Sequence, residues 1–327
     1  MAIEILPMER ADIPRVFPLL RGAHPCRVLT REAMDWRYDH PLSGTRETSL
    51  LAVEGEAVVG FLRSVLRSDD DGRRRGLSFL ATVAGSHRDT DLGSRLLKAS
   101  ERGLVEGGAE VLRAEAADGA VHAGGDGFRR TLLDHGYVPE DDHHILGLDL
   151  STLPEAPPAS GGIRVRPFSD HADDPRGIYW IDRLTTLDEP GADPWFPSYE
   201  DWRKNVWGHP LTDLDLCLLV LADGVPAAVT CYVSDGGTRL ESSMTGTLRG
   251  YRGRGLAGYA KAVALRRARD RGFTHAYAGN HEDNAPMLAI NDRLGYTLVG
   301  TETSYVKRLG EGPRRGRPSP RTSPNTP

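Results

Sequence analysis

Cysteine is scarce in these 327 residues: Cys26, Cys217 and Cys231 stand far apart, with no metal-type spacing. Such usage fits a reducing compartment and supplies neither a disulfide framework nor a zinc site. Long apolar runs are missing too, and none approaches the roughly 20 residues that span a bilayer. The opening residues, MAIEILPMERADIP, have no basic segment followed by an apolar core, so they do not read as a secretory signal. A cytoplasmic protein with no membrane association is expected. Excess positive charge is also lacking. The formal net charge is −5, which leaves no global basic field to hold nucleic acid. Only four of the 41 basic residues are lysine, a bias that reads as GC-rich coding rather than chemistry. No Walker GK[ST] ending, G-x-S-x-G elbow or Ser-His-Asp order occurs. The histidines of DDHHI (residues 141–145) lack helical i, i+4 spacing, so that segment reads as a solvated turn and no metal is expected.

What is present is a duplication. Residues 151–162, STLPEAPPASGG, read as a Pro/Ser/Gly linker, and residues 310–327 as a disordered tail. On either side of the linker the order of elements repeats. The first half reads as strand, helices over 11–20 and 30–39, a hairpin near Gly55, a strand, a helix over 91–106, a strand and a helix over 126–135. The second half reads as strand, a helix over 198–207, a hairpin through ADGV, a strand, a helix over 255–271, a strand and a helix over 284–294. An offset of 164 carries Arg88 onto Arg252, Gly93 onto Ala257 and Gly108 onto Gly272. Gly136-Tyr137 falls on Gly295-Tyr296 at an offset of 159, so the first copy carries five extra residues within AADGAVHAGGDGF. A period this long means duplicated domains rather than a solenoid.

The stretch SSMTGTL-RGYRGRG-LAGYAKAVALRRARDRG reads as strand, glycine-arginine loop and helix. The first amides of a helix have no intrahelical acceptor, and the macrodipole adds positive charge there. Glycines let an anion approach that backbone, so the turn suits a pyrophosphate. GRGLAG fits the regular expression of a dinucleotide fingerprint. Yet position 278, about 20 residues on, is Ala rather than an acid, and only one βα unit is visible.

The better description is R-x-x-G-x-A, from Arg252, Gly255 and Ala257. With it comes a second segment, NHEDNAPMLAINDRLGY, in which Asn284, Met287, Asn291, Gly295 and Tyr296 fill the spacing N-x-x-A-x-x-x-Y-x-x-x-G-F. Together the two segments resemble the GCN5-related N-acetyltransferase (GNAT) superfamily, well over residues 163–309 and in outline over 1–150. The two-copy layout is similar to that of mycothiol synthase and other tandem members. The resemblance implies an α/β fold with mixed α+β sheets: two tandem GNAT-like domains, each a twisted, mostly antiparallel sheet flanked by helices. It implies a degenerate domain over 1–150 and a catalytic one over 163–309. It also implies acetyl-CoA, or another acyl-CoA, held by Thr247, Leu248, Arg249, Arg252, Gly253, Arg254, Gly255, Leu256, Ala257, Asn284 and Asn291. Thr247 and Arg249 would lie along the pantetheine, with an oxyanion-binding backbone N–H near Thr247. Asn284 either caps a helix and faces the cofactor or only caps.

The halves are not equivalent. Asp91 stands where the second copy has Gly255, placing a carboxylate where phosphate oxygens would lie. The first copy is therefore expected to bind coenzyme A poorly and to complete the acceptor pocket; the other reading of Asp91 is a helix cap in a working site. Glu241 is the candidate general base, on a strand whose alternation would place it on one face with Ser243, Thr245 and Thr247. The other reading is a glutamate at a strand end facing solvent. Asp188 and Glu189, in a loop with Trp195 and near Trp202, are candidates to attract a cationic amine, or simply charged loop residues. The family's usual acid, a tyrosine, is replaced by Asn291, leaving water or a tyrosine such as Tyr259 to stand in. The expected function is transfer of an acetyl group from acetyl-CoA to the primary amine of a small molecule, such as a natural-product or aminoglycoside-like acceptor. The alternatives are a non-catalytic acyl-CoA sensor and a protein or peptide N-acetyltransferase.

Overall fold

The computed structural model describes residues 2–68, 72–155, 161–191 and 195–309. The tail over 310–327 and the centre of the linker lie outside them. All twelve strands join one sheet. The first half supplies β1 (Ile3–Pro7), β2 (Thr45–Glu54), β3 (Ala57–Ser68), β4 (Arg74–Val83), β5 (Val111–Ala117) and β6 (Val138–Asp149). The second supplies β7 (Ile163–Pro167), β8 (Leu218–Ala222), β9 (Val225–Ser234), β10 (Arg239–Thr247), β11 (His275–His281) and β12 (Thr297–Arg308). Their order is β1-β2-β3-β4-β5-β12-β6-β11-β10-β9-β8-β7.

The centre of that order departs from two side-by-side domains. The last strand of each half has crossed into the other. β12 pairs antiparallel with β5, from Glu302 opposite Ala117 to Arg308 opposite Val111. β6 pairs antiparallel with β11, from His275 opposite Asp149 to His281 opposite His143. The two exchanged strands then pair with each other along nearly their whole length. The segment DDHHI is thus a central strand, not a turn. Its polar side chains are met across the sheet: the Thr303 hydroxyl donates to Asp142 at 2.6 Å.

The duplication is visible in the register. β4 and β5 run parallel, from Arg75 opposite Val111 to Ser78 opposite Ala114. β10 and β11 run parallel from Arg239 opposite His275 to Ser242 opposite Ala278, every residue displaced by 164. Beyond these four pairs the parallel strands part in both halves. Helix α3 (Leu92–Glu106) packs on β3 and β4, and its counterpart α7 (Leu256–Asp270) on β8, β9 and β10. The stripe Leu256, Ala257, Ala260, Ala264, Leu265 and Ala268 on α7 is buried, its small side chains bringing the helix close to the sheet. On the first half's other face lie α1 (Ile13–Ala23) and α2 (Arg31–Asp39), and α4 (Gly125–Asp134) follows β5.

The second half also has α5 (Arg176–Thr186), which the sequence reading omits, the short α6 (Tyr199–Trp202) and α8 (Ala285–Arg293). A single π-type turn, Arg203–Trp207, continues α6 where one uninterrupted helix is expected. Trp202 is fully buried between α5 and the sheet, with its indole N–H donating to Asp182 at 2.6 Å. It is core rather than pocket lining. Trp195 lies under the Arg67 guanidinium, 5.3 Å from its carbon to the ring centre.

Because each half donates its last strand to the other, neither half closes its own sheet. Fragments 1–155 and 161–327, purified separately and mixed, should form a 1:1 complex on size-exclusion chromatography. Fragments that stay apart as stable monomers would contradict the exchange.

Candidate active site

The loop between β10 and α7 turns twice through the left-handed region, at Gly253 (φ 77°) and Gly255 (φ 74°). Only glycine adopts this readily. Gly255 caps α7, and nothing lies within 4 Å of where a side chain on either glycine would begin. The first amides of α7 therefore open onto free space framed by Arg249, Arg252 and Arg254. In the first half the equivalent turn is absent: Asp91 caps α3 at φ −76°.

The space between the parting strands forms a cavity of about 90 Å³. Ser242, Ser243, Met244 and Thr245 line it from β10, Gly279, Asn280 and His281 from β11. Asn284 and Met287 close it from α8, Glu189 and Pro190 from the loop after α5, His143 from the exchanged β6, and Lys261 from α7. The strands part after Ser242, so the backbone of β10 from Ser243 onward has no partner on its β11 side. The opening therefore lies five residues earlier than the Thr247 neighbourhood expected for it. Thr247 itself still pairs with Ala228, its carbonyl accepts from Arg252 at 3.2 Å, and the Leu248 amide donates to Ala227 at 3.0 Å. Leu256 and Ala257 are buried against the sheet, offering backbone rather than side chains to the loop.

Asn284 does both things considered for it: its side chain accepts from the Met287 amide at 3.3 Å, and it lines the cavity. Asn291 does not line it. It is fully buried behind Asn280, to which its amide donates at 2.7 Å, while its own Oδ1 has no partner. No tyrosine lines the cavity, Tyr259 included.

Glu241 departs from simple alternation. Ser242 faces Tyr232 and Met244 faces Cys231 in the register, so Ser243 is the extra residue of a bulge. Glu241 therefore shares the α5 face with Met244, while Thr245 bonds Thr230 at 2.8 Å on the other face. Nor is Glu241 at a solvent-facing strand end. Its carboxylate accepts from the Val28 amide at 3.0 Å, contributed by the first half. Burial raises its pKa; Arg27 and that hydrogen bond oppose the rise.

Around Glu241 the halves build a charged cleft. Arg27 pairs with Glu302 of the exchanged β12 at 2.7 Å, and Arg63 with Glu47 at 2.7 Å. Burial and the nearby Glu302 push Glu115 up to about 7. Arg37 has no hydrogen bond or ion pair among the described residues; Arg63 and Arg27 place like charge near it and Glu47 opposes them. The Arg37 side chain reaches solvent, as befits a cation inside an open cleft. His143 connects cleft and cavity, lining the latter while feeling the charge of Glu302.

The two loop acids separate. Glu189 lines the cavity, its pKa raised to about 7 by burial and by Asp182. Asp188 turns the other way and binds Arg249 and Arg252, which hold its carboxyl down to about 2. Its carboxylate is thus taken up by the two loop arginines. Arg254 pairs with Asp223 at 3.0 Å.

Residues 176–296 match the model of the acetyltransferase (GNAT) family. The chain has the fold of a tandem GNAT protein. It is similar to a tandem GNAT protein from the clavulanic acid biosynthesis pathway, solved without AcCoA. That likeness has a TM-score of 0.73 at 17% identity, over 95% of this chain and 100% of that one. A GCN5-related N-acetyltransferase from Sphaerobacter thermophilus superposes with a TM-score of 0.68 at 19% identity, over 94% of this chain and 96% of that one. A GCN5-related glucosamine N-acetyltransferase region of a fungal multi-domain GH3 β-N-acetylglucosaminidase gives 0.66 at 15%, over 93% and 38%. No curated protein matches the chain by sequence. Among the described residues no helix is long and apolar enough to cross a membrane, and no group of three His, Cys, Asp or Glu is placed to hold a metal.

The corresponding region of the first half holds a pair of histidines. Beyond its last parallel pair, β4 carries Thr82, whose hydroxyl lies 2.9 Å from His24. His24 stacks at 4.2 Å on His122, which belongs to the extra segment after β5, and both rings are buried. Desolvation holds both imidazoles neutral, His24 down to about 2 and His122 to about 4.

Asp188 competes with any diphosphate for Arg249 and Arg252. Asp188→Asn should tighten coenzyme A binding roughly two- to tenfold, the scale of exposed ion pairs. Calorimetric titration checks this, and weaker binding in the variant would contradict it.

Proposed function

We propose that the protein is an acetyl-CoA-dependent N-acetyltransferase acting on a small-molecule amine, with its chemistry in the second half. The observation that carries the reading is the pair of left-handed glycines at the start of α7, flanked by arginines, on the loop that follows the unpaired end of β10. The residues fit acetyl-CoA: the α7 amides and Arg249, Arg252 and Arg254 would hold its diphosphate, and the unpaired edge of β10 its pantetheine arm. When bound, acetyl-CoA supplies the thioester acyl group.

Glu241 is the proposed base. It faces a cleft, and the Val28 amide and Arg27 keep its carboxylate oriented. Acetylation needs a neutral amine, and a carboxylate with a raised pKa accepts that proton more readily than an exposed one. The cleft also limits the acceptor. Arg27 and Arg63 are neutralised by Glu302 and Glu47. Arg37, without an ion-pair partner, favours an amine that carries an anionic group at some distance. The residues of the first half in this cleft fit the role of completing the acceptor pocket.

Two variants test the reading. Gly255→Asp places a carboxylate in the cradle, at a position with room for it and in a conformation aspartate tolerates. It should abolish coenzyme A binding in calorimetry and leave the circular dichroism spectrum unchanged. Undiminished affinity would overturn the site. Glu241→Gln should lower acetyl transfer by about 10²–10⁴-fold. In the wild type, activity should fall as pH drops through the raised Glu241 pKa, because protonation removes the base; the variant should lose this acid limb. Coenzyme binding without turnover across matched amines with and without an anionic group would instead indicate a sensor.

A further inference from the structure

The site reading leaves one group unused. Lys261, on the buried stripe of α7, is 1% exposed and lines the cavity. Its ammonium donates to the Ser242 hydroxyl at 3.0 Å, at the last residue where β10 pairs with β11. The rings of Tyr232 and Tyr296 flank it, each centre 5.7 Å away. Among the described residues no carboxylate pairs with it. A lysine buried without a counter-ion is costly to the fold. The duplication supplies an internal comparison: the matching position on α3 is Leu97, which is fully buried. Packing of this helix on the sheet therefore does not require a lysine.

We propose that Lys261 is the catalytic acid that protonates the departing sulfur, filling the role left open by Asn291. This rests on the acetyl-CoA reading above. Ser242 lies five residues back from Thr247, roughly 15 Å along an extended strand, so Lys261 stands at the far end of the groove from the diphosphate cradle. Transfer forms the C–N bond and breaks the C–S bond, leaving the bonding pair on sulfur. The Lys261 ammonium gives that sulfur its proton and becomes a neutral amine, which solvent reprotonates. Glu241 takes the proton released by the acceptor amine and passes it to water. Desolvation brings Lys261 down to about 7, so both of its forms are populated at neutral pH. The tyrosine rings favour its cationic form, and Ser242 fixes its direction.

The groups facing Lys261 are Ser242 from β10, Tyr232 from β9, Tyr296 before β12, and, across the cavity, Glu189, His143 and His281. Glu189, with its raised pKa, is the one carboxylate among the described residues that shares the cavity, so the test separates the two groups.

The experiment binds free coenzyme A to the full chain and follows its thiolate by ultraviolet absorbance between pH 6 and 9. In wild type the bound thiol should ionise at lower pH than in solution, because a cation sits beside it. At pH 7 the thiolate fraction should be about tenfold higher than in Lys261→Met, while the coenzyme A affinity of the two proteins stays within about threefold. Glu189→Gln should keep the wild-type titration. Lys261→Leu, which copies the first half, serves if Lys261→Met does not fold, and the comparison of bound with free thiol in wild type needs no variant. Equal thiolate fractions in wild type and variant, with coenzyme A bound to both, would overturn the role of Lys261 and leave the cofactor site standing. Failure of wild type to bind coenzyme A would overturn both.

Discussion

The exchanged strands are the constraint on which the site depends. β12 and β6 lie side by side in the middle of the sheet, each hydrogen-bonded on its other edge to the half it did not come from. This pairing brings His143 to the cavity of the second half and Glu302 to Arg27 of the first. Without it Glu241 would still sit on β10, but the cleft it faces would lose a wall. A central antiparallel pair satisfied on both edges is also a poor place for independent domain motion, since any hinge between the halves would have to break a continuous ladder. The geometry of the acceptor cleft is thus set by backbone hydrogen bonding rather than by side-chain contact between two finished domains.

The electrostatics of the second half follow a consistent division. Cationic groups at the cradle are exposed and neutralised by carboxylates that can leave: Arg249 and Arg252 by Asp188, Arg254 by Asp223. Groups deeper in are desolvated, and their pKa values move toward the neutral form: Lys261 down, Glu189 and Glu241 up. The first arrangement suits reversible binding of an anion, in which one carboxylate is exchanged for another acid. The second suits proton transfer, which needs groups that change charge near neutrality.

The loop before α7 and much of the fold were legible in the sequence because they rest on local rules. Left-handed turns call for glycine, so Gly253 and Gly255 announce the loop, and Asn284 announces the cap of α8. Helices with clean apolar periodicity, such as α3 and α7, appear within a residue or two of their expected ends. What escaped rests on long-range partners. α5 buries Asp182 and Thr185 on its inner face, and the pattern reads as apolar only once Trp202 is known to bond Asp182. β6 begins with acids and histidines whose partners lie on β12 and β11, more than a hundred residues away. The bulge at Ser243 shifts the alternation of β10 by one, and no residue type there marks it. Lys261 did leave a signal: one of only four lysines in the chain falls on an otherwise apolar helical stripe.

The duplication shows what the fold requires and what the chemistry adds. At the offset of 164, Gly255 corresponds to Asp91, Lys261 to Leu97 and Glu241 to Leu77. The backbone register around these positions is the same in both halves. The sheet, the parting of the parallel strands and the packed helix therefore form without a left-handed cap, a buried ammonium or a buried carboxylate. In the first half leucines take both positions, Leu97 fully buried and Leu77 half-buried, and the imidazoles of His24 and His122 stack near Thr82 of β4. A buried ionisable group lowers stability unless it is paired, so its retention in one copy and absence from the other is not explained by folding. The second half bears that cost at two residues, Glu241 on β10 and Lys261 on the helix packed against it, one able to take a proton and the other to give one.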